Sequence, residues 1–413
     1  MDLTKIIDKK DEAAQYMGEE IEKIIKTCGK RGPGSEGEKQ SCEYMADVLR
    51  EYCDEVTIEP FDVNPGAFMG WIYISVTLVL IGMAVYFFLP ILTVVLVLFA
   101  LFFMMGEFIM YKQVVDKLFK KKTSHNVMAI RKPKGEVKRR IIYNGHPDAA
   151  CEWPMNYYFG GIGFGIHIVL AFLGIAYVFI VAIISIVLNK TAGYVVANGI
   201  TENLGYGMFA FIIPIIGLYF MWNEKLIVDG ANDNLTGCYM GIAIVKYLND
   251  LGIEMEHTEV GVLLTGSEEA GLRGAKAWAK AHKGEYQDCE TLIYAYDTIN
   301  EARFLQVNVK DLNATVKSDP RASQLFVDAA KAVDVPCNIG TVPFGATDNA
   351  AFAQGGFKST GITAMDHNLQ DYYHTRKDTY DNLDMEGLAN CFAVSVKMLE
   401  ILENEALAES SIK

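Results

Sequence analysis

Two adjacent glutamates, Glu268 and Glu269, close the apolar run Leu263-Leu264-Thr265-Gly266-Ser267. Buried carboxylates at neighbouring positions repel each other and lose water. A cation offsets that cost, and a metal ion is the natural candidate. Successive side chains cannot point the same way, so the pair divides its work: one binds metal while the other moves a proton. A solvated helix N-terminus would also favour glutamate through the helix dipole, so the remaining polar groups decide. These are His146 and Asp148 in Asn144-Gly145-His146-Pro147-Asp148, Asp233 in Asn232-Asp233-Asn234, Asp297 after Tyr296, and His374 in Asp371-Tyr372-Tyr373-His374-Thr375. Taken singly they read as turn formers, an N-cap and a loop histidine.

The elements around them argue otherwise. Residues 258–265 read as a buried strand and residues 271–282 as a helix. Residues 36–52 carry Cys42, Met45, Ala46 and Leu49 on one helical face. Further strands are expected over 125–131, 140–143, 291–296 and 359–365, and further helices over 235–251, 322–333 and 385–405. Strands alternating with helices imply an α/β domain, with a mixed, mainly parallel sheet sandwiched by helices. In such folds functional residues gather beyond the C-terminal strand ends. His146, Glu268-Glu269 and Asp297 all arrive there.

Composition narrows the setting. The net charge is −14, and the aromatic residues lie in apolar runs and not among Lys and Arg, which argues against a nucleic-acid partner. The eight cysteines show no paired spacing, and the chain opens on charged residues with no signal peptide; reduced thiols in a cytoplasmic setting are expected. Residues 63–106, 153–189 and 203–223 contain no Asp, Glu, Lys or Arg. Since about 20 apolar residues cross a bilayer as a helix, four spans are expected: 68–89, 91–110, 166–188 and 203–222, the last weakened by Gly and Pro. Trp71, Tyr111, Tyr157, Tyr158 and Trp222 stand where interfacial anchors belong. His167 falls near the start of the third span and takes no role. Lys112, Lys117, Lys120, Lys121, Lys122 and Lys225 flank one side of the spans, against Lys190 on the other. The positive-inside rule therefore puts both termini and all soluble segments in the cytoplasm. The expected organisation is one discontinuous domain, 1–66 with 112–156 and 223–413, interrupted by transmembrane hairpins at 67–111 and 157–222.

Five ordered motifs carry a resemblance. They are Gly-His-Pro-Asp at 145–148, Gly-Ala-Asn-Asp-Asn at 230–234, Gly-Ser-Glu-Glu-Ala-Gly at 266–271, Tyr-Asp at 296–297 and Tyr-His-Thr-x-x-Asp-Thr at 373–379. Together they resemble the metal-site motifs of the co-catalytic di-zinc exopeptidases, the family of bacterial leucyl aminopeptidase, aminopeptidase Y and glutamate carboxypeptidase II. Segments at 31–37, 124–129 and 344–352 resemble further core parts of that family. The resemblance implies two Zn2+ ions, with Mn2+ or Co2+ as alternatives. His146 and Asp297 would bind one and Glu269 and His374 the other, with Asp233 bridging them. Glu268 would be the general base and acid, and Asp148 would orient the site around His146. Three carboxylates and two imidazoles suit such borderline metals. Pro147, Asn232 and Asn349 depart from the usual pattern, and Asn349 stands where a His is frequent.

The expected function is a membrane-anchored metallo-exopeptidase, first of all an aminopeptidase, hydrolysing peptides with a water held between the metals and activated by Glu268. A glutaminyl-cyclase-like acyltransferase needs only one zinc and an Asp-Glu-His set; the presence of both His146 and Asp297 favours two metals and hydrolysis. A non-catalytic receptor or scaffold would be expected to lose ligands. A transporter would need charged relays within the spans, where Glu107 stands alone near an end. The inserted spans also fit membrane-associated substrates, with the lipid bilayer as partner.

Overall fold

A computed structural model describes residues 1–189, 195, 199–366 and 368–411. The strands are β1 (Glu55–Val63), β2 (Lys122–Arg131), β3 (Arg139–Gly145), β4 (Cys151–Glu152), β5 (Asn223–Ile227), β6 (Thr258–Leu264), β7 (Glu290–Ile299), β8 (Leu305–Asp311), β9 (Val316–Lys317), β10 (Asn338–Thr341) and β11 (Lys358–Ala364). Nine of them form one sheet in the order β1-β2-β6-β3-β7-β11-β8-β10, with β9 beside β8. The middle, β6-β3-β7-β11, is parallel, and β1-β2 and β8 add antiparallel edges. The sheet is therefore mixed and parallel where the site lies, as the alternation of strands and helices implied.

The two-residue period of the strands assigns each face its cover. Ile141, Tyr143, Leu292, Tyr294 and Tyr296 point to one side. There they meet α2 (Lys10–Cys28), α3 (Glu36–Arg50), α9 (Thr236–Asp250), α11 (Pro320–Ala332) and α13 (Met385–Ser411), with the short α1 (Thr4–Ile7) beside α13. Ile142, Ile293 and Ala295 point the other way, onto Trp278 of α10 (Arg273–Ala281) and Phe352 of α12 (Asp348–Gly355). Burial of these apolar side chains, at ~25 cal/mol per Å² removed from water, is the main term holding the layers together.

Four helical segments are long and apolar enough to cross a membrane: Ala67–Val85, Pro90–Ile109, Pro154–Leu188 and Ile200–Phe220. They comprise α4 (Ala67–Val85), α5 (Pro90–Met104, continued by a wide turn to Ile109), α6 (Pro154–Asn189), and α7 (Ile200–Gly207) with α8 (Ile212–Gly217). They pack into a cluster of their own around Val76, Val79, Val97, Val178 and Ile215. The third begins a dozen residues before the expected 166, and Gly160, at φ +65°, breaks its first turns from the rest. The fourth is broken by short 3-10 turns at Met208–Phe211 and Leu218–Phe220, where its Gly and Pro residues cluster. Phe88, Phe102, Ile162 and Ile213 remain exposed, as lipid-facing side chains would.

Strand ends differ from the sequence expectation at two places that matter. β3 runs on to Gly145, so His146 follows it directly. β7 runs on to Ile299, so Asp297 lies within the strand, paired with Thr363 of β11, and not after it.

Candidate metal centre

His146 follows β3 at the point where α9 comes closest. A Cβ on Gly145 would meet the Gly237 carbonyl carbon and the Cys238 nitrogen at 2.4 Å, so only glycine lets helix and strand approach this far. That approach brings the turn before α9, with Asp233, against His146. The Asp233–Asn234 peptide is cis. The turn is held by Asp378, whose carboxylate accepts from the Asn232 and Asp233 backbone N–H groups at 2.8 and 3.2 Å, and by Asn234, whose amide donates to the Tyr296 carbonyl at 2.7 Å.

The Glu268–Ala270 turn lies between left-handed residues, Ser267 at φ +53° before it and Gly271 and Leu272 at +94° and +60° after it. Two buried carboxylates hold it. Glu38 accepts from the Ser267 N–H at 2.6 Å and from its hydroxyl at 2.9 Å. Asp148 accepts from the N–H of Glu268 with one oxygen and of Glu269 with the other, each at 3.0 Å, and its Oδ1 lies 3.4 Å from His146 Nδ1. Asp148 therefore ties the histidine turn to the glutamate turn.

All seven residues singled out in the sequence converge. Asp233 stands in the middle: Oδ1 lies 3.3 Å from His146 Nε2, and Oδ2 lies 3.1 Å from His374 Nε2. His374 Nε2 is also 3.2 Å from Glu269 Oε1, and His146 Nε2 is 3.7 Å from Glu268 Oε2. Two groups of potential ligand atoms result, His146 with Glu268 and Asp297, and Asp233 with Glu269 and His374; within each, the atoms lie within 4.8 Å of one another. The adjacent glutamates thus face different groups, as their opposite directions require.

The electrostatics are those of a cage built for cations. Burial pushes Asp297 up to about 8, aided by the Asp233 charge. Burial, and after it the neighbouring Glu269 and Asp297 charges, raises Glu268 well above the usual carboxylate range despite His146. Burial alone would lower His374, but Glu269 and Asp233 outweigh it and push it up to about 10. Asp233 is lowered against its burial by its two histidine contacts. His146 Nε2 and Glu269 Oε1 are buried, and among the described residues their near contacts at 3.3 and 3.2 Å are not aligned as hydrogen bonds. Orphaned donor atoms beside mutually repelling carboxylates fit divalent ions such as zinc.

Several supporting residues were not singled out beforehand. Glu38 belongs to a capping box with Ser35, a pattern that predicts a local role; one carboxylate oxygen does accept from the Gly34 N–H at 2.8 Å, and the other reaches Ser267. Asp378 and Asp348 stood inside recognised motifs without an assigned role; Asp348 accepts from the Thr265 hydroxyl. Asn349 lies outside the cavity lining and donates to Asp311 and Ser318 at 3.0 Å in a buried network. Two more supports come from segments that flank the long apolar helices. The Arg273 guanidinium donates to both Asp116 oxygens at 2.8 Å and its Nε donates to the Ala270 carbonyl at 2.7 Å. On the other side, Trp153 packs edge-on against the His374 ring at 4.5 Å, and Arg376 forks onto Glu152.

This fold and site can be compared with those of known proteins. Residues 219–399 match the model of Peptidase family M28. The matched segment includes Asp233, Glu268, Glu269, Asp297 and His374, while His146 and Asp148 precede it. The structure is similar to BSAP, a zinc aminopeptidase from Bacillus subtilis, at 12% identity and TM-score 0.55 over 93% of this chain and 94% of that one. It is similar to an aminopeptidase from Aneurinibacillus sp. strain AM-1, at 13% identity and TM-score 0.53 over 95% and 93%. It is also similar to the Bacteroides thetaiotaomicron glutaminyl cyclase bound to N-acetylhistamine, at 13% identity and TM-score 0.52 over 95% and 96%. Among curated protein sequences nothing matches. At such identities the likeness establishes a shared fold; with the family match it bears out the resemblance drawn from the motifs and supports a zinc exopeptidase.

Proposed function

We propose that this chain is a membrane-anchored di-zinc aminopeptidase. The observation that carries it is the position of Asp233, whose two oxygens face one histidine each, His146 and His374, as a bridging ligand requires. His146 and Asp297 would hold the first zinc, and Glu269 and His374 the second. Zinc supplies Lewis acidity, which acidifies water and polarises the scissile carbonyl. Glu268, on the same side as His146, takes the proton of the attacking water and passes it to the leaving amine. Asp148 holds the backbone of both glutamates and the ring of His146, so the base and a ligand stay in register.

The amino end of the substrate fits better than the carboxyl end. The described cavity lining includes Asp233, Glu268, Glu269 and Asp297; its cations are Lys30, Lys120 and Lys122, and it contains no arginine, the usual bidentate partner of a carboxylate. The retained pair of metal groups favours hydrolysis over the cyclase reaction, despite the shared fold. One discontinuous domain, 1–66 with 112–156 and 223–413, carries the site: β1 pairs with β2 across the first insertion and β3 with β6 across the second. By the lysine asymmetry of the loops it faces the cytoplasm.

The test is a hydrolysis panel with full-length, zinc-loaded protein in detergent. Peptides with free amino termini should be cleaved from that end, with two zinc ions bound per chain, and N-acetylated peptides should be spared. Cleavage only of N-blocked peptides, or ammonia release from N-terminal glutamine without peptide-bond cleavage, would overturn the assignment.

A further inference from the structure

Resting on the peptidase reading above, we propose that the site takes its peptides directly from the bilayer, through a crevice between α4 and α6. The cavity over the acidic cluster measures about 1150 Å³, beyond the ~300–1,000 Å³ usual for small-ligand pockets. Its floor is acidic, and its walls are the opposite. α4 contributes Phe68, Met69 and Tyr73, and α6 contributes Phe164, Ile168 and Val169. Both helices are long and apolar enough to cross a membrane.

The cavity wall and the lipid-facing surface are the same helix. Val169 lines the cavity while remaining 57% exposed, and Ile166 beside it is 57% exposed. A peptide passing there would keep its apolar side chains against apolar walls and out of water. The polar floor then receives the leading end of the chain, where Glu268, the one carboxylate there not assigned to zinc, offers an ammonium group a partner. The occupant is therefore a peptide with a free amine and an apolar leading segment, partitioned into the membrane. Gly165, in the cavity lining, borders open space, since a Cβ there would meet no heavy atom within 4 Å, so a large side chain can be placed there to fill the crevice.

The experiment uses full-length Glu268→Gln protein in phosphatidylcholine–phosphatidylglycerol vesicles, with a free-amine, Leu/Ala-rich peptide of about 20 residues carrying benzoylphenylalanine at its third position. The crosslinks should map to 67–73 and 161–169. Gly165→Trp in that background should lower their yield at least tenfold. In the otherwise unaltered protein, Gly165→Trp should lower the ratio of kcat/KM for the vesicle-bound peptide to kcat/KM for a water-soluble dipeptide at least tenfold. Crosslinks confined to other surfaces, or an unchanged ratio, would overturn the proposal. Cleavage of the dipeptide without these crosslinks would overturn the crevice and leave the peptidase standing. The mapped crosslinks without cleavage of any peptide would do the reverse.

Discussion

Asp116→Asn tests whether the first membrane hairpin positions the glutamate turn. Asp116 follows that hairpin, and both its oxygens accept from Arg273, which also holds the Ala270 carbonyl. The side chains are 4% exposed for Arg273 and 19% for Asp116. Breaking a fully buried ion pair costs ~3–5 kcal/mol. Partial solvent access, the acceptor oxygen that asparagine keeps, and Glu107 at 3.9 Å from Arg273 reduce this to about 2 kcal/mol. If the loss falls on the 268–271 turn, the aligned population drops about thirtyfold at ~1.36 kcal/mol per decade. Steady-state kinetics on a free-amine peptide should show kcat falling by that order, with zinc affinity reduced about tenfold. Arg273→Lys should behave like Asp116→Asn, because an ammonium cannot fork onto both oxygens. A lowered melting temperature with kcat and zinc affinity unchanged would refute the reasoning, since the clasp would then only fasten the hairpin to the domain.

Glu268→Gln should lower kcat by ~10²–10⁴ with zinc content near normal by mass spectrometry; undiminished turnover would rule out the proton role. Asp233→Ala should lose both zinc ions together, and full retention of either contradicts bridging. Gly271→Ala should destabilise the protein by ~1–2 kcal/mol or more in thermal unfolding, because φ is +94° and the new Cβ would lie 2.8 Å from Phe68 Cδ2. His282 is lowered by burial but raised overall by its bonds to Glu285 and Glu59. A raised histidine stabilises most below its unfolded pKa of ~6.5 and loses the effect as pH climbs through the folded value. His282→Gln should therefore cost about 0.5 kcal/mol, the scale of a screened pair, near pH ~5.5 and little near pH ~9; an equal loss at both would refute it.

Much of the site was legible because it is written locally. Glu268-Glu269, His146 and Asp148 stand beside short apolar runs, and such runs read as strands without knowledge of their partners. Strand ends were less legible, since pairing sets them: β7 reaches Ile299 because β11 continues beside it to Ala364. β1 escaped notice because an edge strand carries charges and can hold Pro60. Arg273 and Asp116 are far apart in sequence, and no local pattern pairs them. Glu38 is the reverse case: its local pattern was complete, a capping box, and concealed the contact with Ser267.

The segments flanking the apolar helices also shape the site. On each side they hold a loop that carries expected ligands. The first insertion leaves Asp116 on Arg273 and sets Phe68 against Gly271, beside Glu268 and Glu269. Before the second and at the start of α6, Glu152 sits on Arg376, Trp153 packs against His374, and Asn156 donates to the Gln370 and Tyr373 carbonyls at 2.9 and 2.8 Å. His374 itself sits at φ +51°, a conformation that costs a non-glycine residue energy and persists where its surroundings hold it. Those surroundings are largely the start of α6 and the segment leading into it. The His374 loop is therefore held by Glu152, Trp153 and Asn156, at and just before the start of α6, and the Glu268–Ala270 turn by Arg273 and Asp116, while His146 and Asp297 are placed chiefly by β3 and β7.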